Sequence, residues 1–141
     1  MILISHRGNI NGPNPEKENQ KDYILNALNK GYDVEIDLWK IKSEYFLGHD
    51  EPQYQVEKNF LNLIAYKTWF HCKNIEAMIE FKEYNSFGHN TDDFILTGYN
   101  YVWAYPGKEK KGCICVMPEW DERPIVDGVI GICSDYIERW K

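Results

Sequence analysis

Residues 31–39 read Gly31-Tyr32-Asp33-Val34-Glu35-Ile36-Asp37-Leu38-Trp39. Val34, Ile36 and Leu38 alternate with Glu35 and Asp37, the period of two that sets a strand apart from a helix. Successive strand side chains point to opposite faces, so three branched apolar groups share one face and two carboxylates the other. An apolar face of this kind asks for a covering layer. The segment just before it, "NQKDYILNALNKG" (19–31), reads as a helix with Tyr23, Ile24, Ala27 and Leu28 on one side and Gly31 as its stop. After it, "SEYFLGHD" (43–50) follows a turn too short for a crossover helix, which predicts a hairpin or close neighbours.

The same alternation of strand and helix extends in both directions. Ile2 to Ser5 opens the chain as a strand, and residues 8–19 read as a loop. A helix is predicted from about Val56 to Tyr66, then a strand in "TWFHCKN" (68–74) and a helix in "IEAMIEFKEY" (75–84). Beyond that, "SFGH", "FILT", "YVWAYPG", "GCICVMPEW" and "VDGVIGICSDYI" are strands with almost no room for helices between several of them. Alternating elements predict an α/β fold with a mainly parallel sheet and functional residues at strand C-termini, open or closed into a barrel.

At 141 residues the chain suits a single domain with one sizeable core, and no linker divides it. A net charge of −6 argues against nucleic acid as a partner, which requires a basic footprint. Cys72, Cys113, Cys115 and Cys133 show no paired zinc spacing, so reduced thiols in a cytoplasmic protein are the simpler expectation. Cys113 and Cys115 read as packing residues. No apolar run approaches the length that spans a bilayer, and stable membrane insertion is not expected.

Two carboxylates on one strand face repel, and a hard divalent cation such as Mg²⁺ or Ca²⁺ between them relieves that repulsion. A solvated strand face is the competing reading of an isolated E-x-D. His6 at the end of one strand, and His49 followed by Asp50 at the end of another, strengthen the site: two imidazoles and two carboxylates supply an acid, a base and a metal seat.

In order along the chain, "SHRGN" (5–9), "NPEKEN" (14–19), "GYDVEIDLW" (31–39) and "FLGHD" (46–50) resemble the H-R-G, P-E-N, G-x-x-x-E-x-D-V and H-D motifs of the glycerophosphodiester phosphodiesterase family. That family lies within the wider group of phosphatidylinositol phospholipase C-like barrels. "VDGVIGICSDY" is similar to its final D-G-I-x-T-D strand. The resemblance implies a TIM-type (β/α)8-like barrel, His6 and His49 as acid/base pair, Glu35 and Asp37 as metal ligands, and Arg7 as a phosphate contact. It gives Glu18 and Asn19 supporting positions in the loop. Where the family carries E-I-K, with a glutamate as third ligand, this chain has His71-Cys72-Lys73: Lys73 matches, as a substrate contact, and His71 does not. As a ligand, His71 favours Mn²⁺ or Zn²⁺ over Mg²⁺ or Ca²⁺; substrate hydrogen bonding or a plain strand histidine are its other readings.

A complete barrel commonly needs roughly 200 residues or more, so several helices must be shortened or missing and the barrel trimmed. Strands left uncovered invite pairing with a second copy of the chain, a homodimer. His89 with Asp92 and Asp93 reads either as a further site cluster or as a polar turn. Glu119 reads either as a group at the mouth or as a turn residue. Trp39, Trp69, Trp103, Tyr101 and Tyr105 read as core before cleft lining. Two functions are expected to compete: a metal-dependent phosphodiesterase acting on a small glycerophosphodiester-like substrate, by hydrolysis or by a cyclising lyase route, and a non-catalytic phosphoester-binding or interaction protein that keeps the site mouth.

Overall fold

The computed structural model describes all 141 residues. The chain runs β1 (Ile2–His6), α1 (Lys21–Asn29), β2 (Asp33–Ile41), β3 (Glu44–Leu47), β4 (Tyr54–Val56), α2 (Lys58–Ile64), β5 (Thr68–Cys72), α3 (Ile75–Phe81), β6 (Ser86–Phe87), β7 (Phe94–Leu96), β8 (Val102–Ala104), β9 (Ile114–Val116) and β10 (Gly131–Ser134). Short 3-10 turns lie at Ala65–Lys67, Pro118–Trp120 and Ile137–Trp140.

β2 is the hub. Its first half pairs in parallel with β1, its middle with β5, and its last four residues, Leu38 to Ile41, pair antiparallel with β3 as the expected hairpin. Continuing outward, β6, β5, β2, β1, β10, β9 and β8 form one parallel arc, to which β7 adds an antiparallel edge strand. β4 extends β3 at the other side.

The result is an α/β fold on a mixed, open, half-barrel sheet with three short helices, which corrects the expected (β/α)8-like closure. The reason lies in the link lengths. A parallel neighbour needs a crossover of a dozen residues or more, whereas Leu96 and Val102 are joined by a short turn that permits only a hairpin. No strand pairing joins β6 to β7; the opening is bridged by the Gly98 N–H donating to the Ser86 carbonyl at 2.8 Å. The shortage of helices is as expected, and no helix is long and apolar enough to cross a membrane.

The alternation in β2 sorts the core into two layers. Val34, Ile36 and Leu38 pack with Ile24, Leu61 and Phe81 under the helices. Inside the curve of the sheet, Ile4, Trp69, Phe87, Trp103, Ile114 and Cys133 form a second apolar cluster, so Trp69 and Trp103 are core residues. On β1 and β5 the next inward positions are His6 and His71. The apolar cluster is therefore a floor, and polar residues stand above it at the C-terminal ends of the parallel strands. All four cysteines are free and buried.

Candidate metal centre

Parallel register sets His6 beside Glu35 and Asp37 beside His71. Glu35 is 2% exposed and Asp37 0%, which excludes the solvated-face reading of the E-x-D. One ligand atom from each of Glu35, Asp37 and His71 falls within 4.8 Å of the others. Glu35 Oε2 and Asp37 Oδ1 are buried without a well-aligned hydrogen bond and face only imidazole nitrogens and Lys73, His6 Nε2 at 3.7 Å from the first and His71 Nδ1 at 3.2 Å from the second; a divalent ion in place of the ring protons would satisfy both oxygens. Two carboxylates and one imidazole thus fit a divalent ion, and the nitrogen donor matches Mn²⁺ or Zn²⁺ better than an all-oxygen preference such as that of Ca²⁺.

The carboxylates have polar company as well. Asn19 donates its Nδ2–H to Asp37 Oδ2 at 2.9 Å and accepts the Asp37 N–H at 3.0 Å. Arg7 Nε lies 3.1 Å from Asp37 Oδ2, and Lys73 Nζ 4.0 Å from Oδ1. His71 Nδ1 is 3.2 Å from Asp37 Oδ1 and 3.6 Å from Glu35 Oε1. Burial alone would push the Asp37 carboxyl up, but His71 and Arg7 hold it well below the usual range. For His71 burial pulls down, yet Asp37 and Glu35 outweigh it and carry the imidazolium to about 9.

The two histidines expected as an acid/base pair sit in different surroundings. His6 is mostly buried and donates Nδ1–H to Asp135 Oδ1 at 2.7 Å, leaving Nε2 at 3.7 Å from Glu35 Oε2. Burial lowers its affinity for a proton, but Asp135 and Glu35 raise it by more. His49, on the loop after β3, has a side chain 45% exposed and accepts Arg7 Nη2–H at Nδ1, 2.7 Å. That bond leaves the His49 proton on Nε2. Asp50 is 3.6 Å from Nε2 but almost fully exposed, a weak partner.

Asp135 escaped the reading of the sequence. The signal for it was the second aspartate of "VDGVIGICSDY", in the segment similar to D-G-I-x-T-D. Its carboxylate also accepts Asn9 Nδ2–H at 2.8 Å, and Asn9 donates to Glu18 Oε1 at 2.9 Å. Glu18 Oε2 in turn accepts from Arg7 at 3.2 Å. Glu119 resolves as a turn residue with a purpose: it accepts the Asp135 N–H at 2.8 Å and the Ser134 hydroxyl at 3.0 Å. Arg7, Asn19 and Met117 adopt left-handed backbone at φ 56, 65 and 50, a conformation costly for side chains with a Cβ and often found where a site is held in shape. Gly8 has φ +93, and a Cβ there would lie 2.6 Å from Tyr23 Cδ2, so only glycine fits beside α1.

These groups open on a cavity of about 620 Å³ whose polar wall is His6, Arg7, Glu35, His49, His71 and Lys73. The rest of the lining is Trp103 from the apolar cluster, Tyr105, Trp120 and residues His89 to Asp93. His89 stacks on Tyr105, centroids 4.2 Å apart, and lies 3.7 Å from Asp92, so the polar turn lines the cavity. Compared with models of known protein families, with curated proteins and with solved structures, the chain matches none. The site rests on its geometry: a buried acid/histidine cluster able to chelate a metal, consistent with a phosphoesterase-like active site.

Proposed function

We propose that the chain is a metal-dependent phosphodiesterase that cleaves a small glycerophosphodiester-like substrate. The observation that carries this reading is the buried cluster of Glu35, Asp37 and His71, of which Glu35 and His71 line one cavity with Arg7, His6 and His49. The ordered resemblance of residues 5–50 to the glycerophosphodiester phosphodiesterases supports the substrate class.

A divalent ion held by Glu35, Asp37 and His71 would offset phosphate charge and polarise the phosphorus toward attack. Arg7 would bind a phosphoryl oxygen through Nη2–H while Nη1 stays on Glu18. When its Nη2–H turns to phosphate, the lone pair on His49 Nδ1 is released, so substrate binding itself frees the base. His49 Nδ1 then takes the proton of the attacking water, or of a neighbouring substrate hydroxyl in the cyclising route. His6, with Nδ1–H fixed on Asp135, delivers a proton from Nε2 to the departing alkoxide. Lys73 adds positive charge to the same wall.

One observation favours the competing function, phosphoester binding without turnover. His71, Arg7 and Lys73 already surround the two carboxylates, so the centre can be charge-paired without a metal. Assay of a glycerophosphodiester with Mn²⁺, Zn²⁺, Mg²⁺ and Ca²⁺ in turn separates the two. The proposal expects turnover that chelator abolishes and that His6→Ala or His49→Ala lowers by about 10²- to 10⁴-fold. Binding of the diester with no metal-stimulated turnover would instead establish the second function.

A further inference from the structure

The cavity, about 620 Å³, is larger than a phosphate and a glycerol need, and part of its lining is built differently from the catalytic residues. Trp120 is 65% exposed, unusual for the largest apolar side chain, yet its support is rigid. The turn Pro118–Trp120 follows Met117 in left-handed backbone. It is tied by Met117 N–H to the Cys133 carbonyl at 2.7 Å and Trp120 N–H to the Met117 carbonyl at 3.0 Å. Glu119, between them, accepts from Asp135 and Ser134, so the same link that orients His6 fixes the platform under Trp120. A flat, solvent-facing indole held on a buttressed turn at a cavity wall is a stacking surface.

Asp92 and Asp93 line the same cavity, Asp92 3.7 Å from His89 and Asp93 3.6 Å from Lys108, and carboxylates only accept hydrogen bonds. A group that reaches both these carboxylates and Trp120 meets an uncharged aromatic face and acceptors that already have cationic neighbours, so it is best matched by an uncharged face and an edge rich in neutral donors. An anionic arm would be repelled there. An alkyl arm would leave the carboxylates without new partners. A sugar ring meets both demands, with C–H groups on its face and hydroxyls on its edge.

We propose that the second alcohol of the substrate is a sugar ring, stacked on Trp120 with its hydroxyls donating to Asp92 and Asp93. This rests on the phosphodiesterase reading, because the phosphate at Arg7 and the metal centre sets where the arm extends.

The test uses the metal-loaded full chain and three glycerol phosphodiesters, esterified with ethanol, a hexose and choline. The hexose diester is expected to have the highest kcat/KM. Trp120→Ala and the double change Asp92→Asn/Asp93→Asn are each expected to reduce the hexose-to-ethyl ratio about three- to tenfold. An unchanged ratio, with all three diesters losing turnover in parallel, would make Trp120 merely structural and overturn the proposal. A choline preference that the double change removes would overturn it in favour of a cationic arm. If no diester is turned over, the phosphodiesterase reading fails, and tryptophan quenching decides the arm separately. Quenching by the hexose diester but not the ethyl diester, lost in Trp120→Ala, upholds the proposal; equal quenching or none refutes it.

Discussion

A glutamate at position 71 would make the metal seat all-oxygen, and an imidazole makes it mixed. His71→Glu is expected to move the activating ion from Mn²⁺ or Zn²⁺ toward Mg²⁺ or Ca²⁺, read as the order of activation in a metal titration. Asp135→Asn keeps the shape of the side chain but removes the charge that fixes His6 Nδ1–H. Turnover should fall about 10- to 100-fold with metal affinity little changed. These two residues differ in how visible they were. Glu35 and Asp37 sharing a face follows from strand period alone, and His71 with Lys73 likewise. Asp135 lies 129 positions from His6, and nothing in local pattern joins them; only the β1–β10 pairing does.

β2 was legible because strict alternation from Asp33 to Leu38 fits a strand and no helix, and its hairpin with β3 followed from a short turn. β6 and β7 have two and three residues, too few for a pattern to state direction, and the reversal of β7 that leaves the sheet open came from its short link to β8. Packing between elements makes two expectations. Ile36 is fully buried between the sheet and the helices, so Ile36→Ala should cost about 2–5 kcal/mol in denaturant unfolding. Asn74 caps α3 by accepting the Ala77 N–H at 3.2 Å, and it also bonds the Lys40 N–H and carbonyl at 3.2 and 2.8 Å. Asn74→Ala removes the cap and leaves backbone groups of β2 unpaired, at a cost of about 1–3 kcal/mol.

The molecule buries its charges at one end of the sheet, and its stability should report that. His71 is raised to about 9 when folded, above its unfolded value near 6.5, so metal-free protein keeps this contribution fully below about pH 6.5. It loses it as pH rises through about 9, on the order of 3 kcal/mol. Thermal unfolding in chelator should show that decline. His71→Gln should flatten it, and bound metal should do the same by replacing the proton on the ring. Metal-dependent catalysis requires Glu35, Asp37 and His71 to be a metal seat rather than a set of ion pairs. Isothermal titration of chelator-treated protein with Mn²⁺ and with Zn²⁺ measures this. The expected result is one ion per chain, with binding abolished in Asp37→Asn and weakened in His71→Ala. No binding of either ion, or a stoichiometry that both variants leave unchanged, would contradict it.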